Sequence, residues 1–246
     1  MTSTASVSLS PLLIVAAVES EVRSLLHATD PPDASTAGAR LGWPIIAISR
    51  SMTVAISGIG RANAAGATAQ ALTLRRYAAV LNIGVAGALP AGRLAIGDVI
   101  VGDESVFVEE GIDLPEGPAD MNALGFPLGE EPWCSGNRVR GDAALIDLLA
   151  RSIGQGIECG PIATVARCSG ADRAASQVAD RTGAQAEAME GAAVLLAAHR
   201  MGVHRCAEVR VISNTCGDRL RQHWDLSAAF NRLDLLLGRL VELVKS

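Results

Sequence analysis

The stretch "LLIVAAV" (12–18) has no polar side chain along the length of a whole strand. Strands that are apolar at every position are buried on both faces, as they are in a mostly parallel sheet covered by helices. "AAVLNIGVAG" (78–87) and "RCAEVRVIS" (205–213) have much the same character, and "IIAIS" with "TVAIS" reads as a pair of neighbouring strands. "GDVIVGDESVFVEEG" and "GPIATVARC" add further strand. Between them lie helical patterns: "ESEVRSLLHA", the turn and alanine-rich helix of "GIGRANAAGATAQALTLRR", "DAALIDLLARSI", "ADRAASQVADRTG", "MEGAAVLLAAHRMG" and "DLSAAFNRLDLLLGRLVELV". This alternation predicts a single α/β domain over 1–246, with a three-layer α/β/α arrangement around a central mixed, mostly parallel sheet. Residues 1–10 are expected to be a flexible start. Residues 30–44, with Pro31, Pro32, Gly38 and Pro44, read as loop, and 111–141 reads as a long loop of the kind that covers a site.

With 49% hydrophobic residues in 246, the chain can bury a full core, and with only 3% aromatics that core must be built from small and aliphatic side chains. The net charge of −5 comes with scattered basic residues, which argues against a nucleic-acid face and against a polybasic membrane patch. A small-molecule partner is the default. The apolar run at the start is too short for a membrane span and lacks the basic flank of a signal peptide. Five cysteines, an odd number with no C-x-x-C pair, fit a reducing cytoplasm and neither a disulfide framework nor a structural zinc site. The four histidines have no metal-like spacing to carboxylates, so surface or packing roles are expected.

Several positions could carry chemistry. Glu19 and Glu21 follow the first strand, where acidic residues either stabilise a helix start or supply a general base at a sheet edge. Spacing does not choose between these roles. Gly58 and Gly60 form part of a dinucleotide fingerprint, but the third glycine and the distal acidic residue are missing, so a tight strand-to-helix turn facing a substrate suffices. In "NIGVAGAL" (82–89), the Val85–Ala86–Gly87 segment follows a strand, where backbone N–H groups can approach a ligand closely. Glu190, in "AEAMEGAAV", sits among small and apolar neighbours and needs a partner: a salt bridge, a helix cap or a pair of ligand hydroxyls. Arg210 and Asn214 flank the end of the last strand, where an ion pair and an Asx-turn are the ordinary explanations.

Taken in order, "AAVESEV", "SGIGRANAA", "NIGVAGAL", "IGDVIVGDE", "AEAMEGAAV" and "VRVISN" resemble the purine nucleoside phosphorylase and nucleosidase superfamily, above all its hydrolytic, methylthioadenosine nucleosidase-like branch. The resemblance covers nearly the whole chain. "LGFPL" (124–128), "MEGAA" and "ISNTCGDRLRQHWDLSAA" (212–229) are similar to a hypoxanthine-releasing family within that branch, and the last stretch is the most specific.

The resemblance implies hydrolysis of an N-ribosidic bond without metal or cofactor, on a small nucleoside, by a homo-oligomer of at least two copies. Residue by residue it implies Glu21 as the water-activating carboxylate, Arg210 beside that water, Glu190 on the ribose hydroxyls with Met189 against the sugar, and Val85, Ala86 and Gly87 in the substrate loop. Asn214 stands where adenine-specific relatives carry aspartate. An amide can donate to a 6-oxo group while accepting from a protonated N7, so Asn214 points to a 6-oxopurine. The family's usual base-stacking aromatic is missing from "ATVARCSG", and Phe107, Phe126 and Trp224 are candidates for an apolar wall. A phosphorylase, an adenine-type nucleosidase and a non-catalytic nucleoside-binding protein are the alternative readings.

Overall fold

The computed structural model describes residues 9–27, 42–90, 92–153 and 157–245. The expected flexible start up to residue 8, and the expected loop over 30–44 up to residue 41, lie outside the described residues.

Strand β1 (Leu12–Ala16) is buried at every position, and its alternation divides the core in two. Leu12, Ile14 and Ala16 pack with helices α4 (Ala143–Ile153) and α7 (Leu226–Lys245) on one face. Leu13 and Val15 pack with α2 (Arg61–Leu74) and α6 (Gly191–Arg200) on the other. The two-sided burial expected from "LLIVAAV" is therefore present, and alanines such as Ala64, Ala71, Ala192 and Ala198 provide the small contact surface on the second face. "ESEVRSLLHA" is less regular than expected: a 3-10 turn over Glu19–Glu21 precedes the short α1 (Arg23–His27).

The ten-stranded sheet is mixed but not an open layer. β2 (Ile45–Ser49) pairs antiparallel with β3 (Met52–Ile56), which runs parallel to β1. β1 is parallel to β4 (Ala79–Ala88), and β4 is parallel to β12 (Cys206–Thr215). From β12 the path continues antiparallel to β5 (Val99–Phe107), parallel to β10 (Ile157–Thr164), parallel to β11 (Ala186–Ala188) and antiparallel back to β4. The expected three-layer α/β/α arrangement is corrected in part: β4, β12, β5, β10 and β11 curl into a closed, barrel-like ring. Ala86, Ala88, Ile100, Ile162, Ala186, Ala188 and Ile212 form an apolar cluster shared by its strands. Closure needs small residues where strands converge, and the composition supplies them.

Closure also splits one edge of β4. That edge pairs with β1 from Ala79 to Asn82 and with β11 only at Gly87 and Ala88, so among the described residues no strand pairs with it from Ile83 to Ala86. Such a split in the strand order is where ligands bind in α/β sheets.

Residues 111–141 also differ from the long loop expected of them. They hold a hairpin of β6 (Ile112–Leu114) and β7 (Gly117–Ala119), a short α3 (Met121–Leu124), and β8 (Cys134–Ser135) paired with β9 (Arg138–Arg140), which extends the main sheet beyond β5. Helix α5 (Asp172–Thr182) ends at Gly183 in the left-handed region. No described helix is long and apolar enough to cross a membrane.

Candidate active site

Glu21 enters the split beside β4. One carboxylate oxygen accepts from the backbone N–H of Ala17 (2.9 Å) and Val18 (3.2 Å), which folds the side chain back over its own turn. The other accepts from Val85 N–H at 3.0 Å, on the open edge of β4 between β1 and β11. Glu21 is 3% exposed whereas Glu19 faces solvent, so burial separates two carboxylates that spacing could not. Burial pushes the Glu21 carboxyl above the ordinary carboxylate range, while the nearby Arg210 charge and the Val85 N–H hold part of that shift back.

Arg210 is 1% exposed and carries its charge deep in the protein. Its Nε donates to Glu208 Oε1 (2.8 Å), its Nη2 lies 3.3 Å from Glu190 Oε2, and Nη2 also donates to Asn82 Oδ1. Burial favours loss of its proton, but Glu208, Glu190 and Glu21 together outweigh this and raise its affinity for the proton. Glu208 is itself fully buried, bonded by Ser105 Oγ as well as by Arg210. Burial pushes the Glu208 carboxyl up, and Arg210 counters it.

Two glycines make this crowding possible. A Cβ at Gly84 would lie 2.4 Å from Glu21 Oε1 and 2.5 Å from Arg210 Nη1, so that residue must be bare for the two charges to face one another across it. A Cβ at Gly191 would lie 1.8 Å from Glu208 Oε2, so the "MEG" glycine is what admits the anchoring carboxylate.

Glu190 occupies the N-cap position of α6 but makes no side-chain capping bond. Its Oε1 accepts from Gly60 N–H (3.0 Å), which gives the Gly58–Gly60 turn a function in holding this carboxylate. The salt-bridge reading of Glu190 holds; the helix-cap reading does not.

Asn214 belongs to β12 and not to a turn, since the strand runs two residues past its expected end at Ser213. The register of β12 against β4 shifts between Ile212 and Asn214. A bulge of this kind re-aims side chains, and here adjacent Ser213 and Asn214 both line the cavity, which regular alternation forbids. Ser213 Oγ donates to Asn214 Oδ1 (2.9 Å), and Asn214 Nδ2 donates to Thr215 O (3.1 Å).

These groups meet in a cavity of about 300 Å³. Glu21, Val85, Ala86, Gly87, Met189, Glu190 and Asn214 all line it. Arg210 lies beneath, linked to Glu190. Val18, Ile59, Leu226 and Phe230 give the cavity an apolar mouth. A second cavity of about 390 Å³ adjoins it, sharing Gly87, Cys168, Glu187, Asn214 and Trp224 and adding Ser169, Arg219 and Gln222. Of the three candidate aromatics, only Trp224 lines a cavity with Asn214; its ring lies under the Arg219 guanidinium at 4.8 Å. Phe107 is buried away from this cavity, and Phe126 is 71% exposed and outside it.

Asn82, Glu187, Glu208, Ser213 and Phe230 also belong to this region, and local sequence pattern alone does not mark them as site residues. The signal for Asn82 and Glu208 was a polar residue inside an otherwise apolar strand, and Glu208 shares a face with Arg210 two residues on. For Glu187 and Ser213 the signal lay in pairing register, which a sequence does not display. His199 stacks on Trp133 at 4.4 Å and bonds Arg140 O (2.9 Å), a packing role.

The mixed sheet split along β4 thus sets a cavity lined by three carboxylates, Glu21, Glu187 and Glu190, and the Asn214 amide above a buried arginine. The chain belongs to the phosphorylase superfamily, whose family model matches residues 11–245. It is 35% identical over 185 residues to a futalosine hydrolase of Thermus thermophilus, covering 75% of this chain and 79% of that protein. A futalosine hydrolase of Acidothermus cellulolyticus is 34% identical over 185 residues, covering 74% and 71% respectively. Within the superfamily the chain therefore sits in the futalosine hydrolase family. Its fold is shared with the 5'-methylthioadenosine/S-adenosylhomocysteine nucleosidase of Neisseria meningitidis, solved in complex with methylthio-immucillin-A, with a TM-score of 0.75 at 24% identity over 95% of this chain and 99% of that one.

Proposed function

We propose that the protein hydrolyses the N-ribosidic bond of futalosine, releasing hypoxanthine and dehypoxanthine futalosine in menaquinone biosynthesis. The observation that carries this reading is the pairing of Glu21 and Asn214 in one cavity, a buried carboxylate to activate water and an amide suited to a 6-oxopurine. The futalosine hydrolases to which the chain is similar support it.

In this reading Glu21 takes a proton from the attacking water, and Arg210, across Gly84, helps to hold that water. Water oxygen bonds to C1′ of the ribose as the C1′–N9 bond breaks through an oxocarbenium-like state, the inverting logic of glycosidases. Glu190 accepts from the 2′- and 3′-hydroxyls with Met189 against the sugar. The electron pair of the broken bond passes to the purine, where Asn214 donates to O6 and accepts from a protonated N7. No metal or cofactor takes part in these steps. A phosphate nucleophile would be repelled by Glu21, which places hydrolysis ahead of phosphorolysis. The same reading includes a homo-oligomer of two or more copies.

The test is base release from futalosine, inosine and methylthioadenosine in phosphate-free buffer. Hypoxanthine release from futalosine as the fastest reaction is the expected outcome. Methylthioadenosine as the only good substrate, or a strict need for phosphate, would overturn the reading. Asn214→Asp is expected to lower hypoxanthine release about 10- to 100-fold, because an acceptor-only carboxylate would face O6. Unimpaired release would remove Asn214 from purine reading. Gly84→Ala is expected to cost about 100-fold in kcat by pushing Glu21 and Arg210 apart, with an unchanged circular dichroism spectrum.

A further inference from the structure

One buried carboxylate has no part in the steps above. Glu187, on β11, is 5% exposed and lines both cavities. It pairs across β11–β4 with Gly87, and Asn214 pairs across β12–β4 with the same Gly87. Directly opposed residues on neighbouring strands share a face, so Glu187, Gly87 and Asn214 form one row with the bare glycine in the middle. Both cavities are lined by Glu187, Gly87 and Asn214 together and so offer a slot with an amide at one end and a carboxylate at the other, while Cys216 Sγ and Asn214 Nδ2 fill the side of Gly87 on which a Cβ would stand, 2.6 and 2.9 Å from it.

Glu187 is held firmly. Ser169 N–H donates to its Oε1 (2.7 Å) and Ser169 Oγ to its Oε2 (2.6 Å). A carboxylate offers about four acceptor sites, so one further donor can be accommodated. An ionised carboxylate accepts only, and a planar heterocycle in this slot must therefore turn an N–H toward it.

We propose that Glu187 is a second purine-reading residue, accepting the N1–H of the 6-oxopurine whose O6 and N7 face Asn214. The assignment rests on the nucleosidase reading above and deepens it. A 6-oxopurine carries a proton on N1, whereas a 6-aminopurine presents a lone pair there, which would face the carboxylate lone pairs. Glu187 thus rejects adenine at a point distinct from Asn214, and two mispaired contacts discriminate more strongly than one. Ser169 acts as a positioning residue for it.

The experiment is calorimetric binding of free bases to the full chain: hypoxanthine, adenine and 1-deazahypoxanthine, in which a C–H of the same size replaces the N1–H. Wild type is expected to bind hypoxanthine about 10- to 100-fold more tightly than either analogue. In Glu187→Gln the hypoxanthine–adenine gap is expected to narrow by about 10-fold, because an amide can turn its NH2 toward N1 of adenine. A merely structural role would lower the affinity for all three bases together. Equal wild-type affinity for hypoxanthine and its 1-deaza analogue overturns the assignment even if the variant does not fold, and so does a failure of hypoxanthine to bind. These outcomes are separable from the failure of the nucleosidase reading, which is judged by futalosine turnover in the wild type.

Discussion

Glu21→Gln is expected to lower kcat for hypoxanthine release by about 100- to 10,000-fold, the usual contribution of a positioned general base. The amide keeps the size of the side chain and one acceptor oxygen for the Ala17, Val18 or Val85 N–H groups, but it cannot take a proton from water. Nucleoside binding should persist, because Glu190, Met189 and Asn214 remain in place. Stopped turnover with measurable binding would also separate an enzyme from a non-catalytic binding protein, in which the substitution would leave behaviour unchanged. The pH profile of the wild type gives an independent check. Glu21 works only when ionised, and burial raises its proton affinity, so the acidic limb of kcat/KM should lie above the ordinary glutamate value of 4.5. Activity is lost as pH falls through that limb, and the limb should be absent from the residual activity of Glu21→Gln.

Arg210→Met should act mainly on stability. Removing the guanidinium leaves Glu208, Glu190 and Glu21 in one buried region without the cation that they share. Breaking a buried pair in this way costs about 3–5 kcal/mol. The midpoint of urea unfolding at neutral pH measures the loss. Its pH dependence has a definite sign: without Arg210 the folded-state proton affinities of Glu21 and Glu208, which burial already raises, rise further above those of the unfolded chain. A group of that kind contributes stability that is present at low pH and lost as pH rises through the folded value. The deficit of the variant relative to wild type should therefore shrink as the buffer is made more acidic. A deficit independent of pH would mean that lost packing, not the uncompensated carboxylates, is the cause.

Both predictions depend on a network only half legible in the chain. Glu21, Glu190, Arg210 and Asn214 could be singled out because charged or amide groups next to apolar strands need a reason to be there, and because short stretches around them resemble one superfamily. Glu208 was as visible in "AEVRVIS", yet its importance comes from sharing Arg210 with Glu190, residues brought together by β12 and the start of α6. Phe126, in "LGFPL", is by sequence a candidate for an apolar wall, but the 111–141 segment folds into short strands and a helical turn that leave it exposed and outside the cavity lining. Glu19 and Glu21 looked equivalent until one side chain was buried and the other faced water.

By itself the sequence determined what local rules control: uniformly apolar strands, the helices between them, small residues suited to close packing, and the residue types available for acid–base and hydrogen-bonding chemistry. Only the tertiary structure decided that the sheet closes through β11, that one edge of β4 is left open beside Glu21, and that a bulge turns Ser213 and Asn214 toward the same cavity. The reason is that strand register and ring closure are set by contacts between segments far apart in the chain. No window of neighbouring residues contains them, and a shift of one residue in register would send Asn214 to the opposite face.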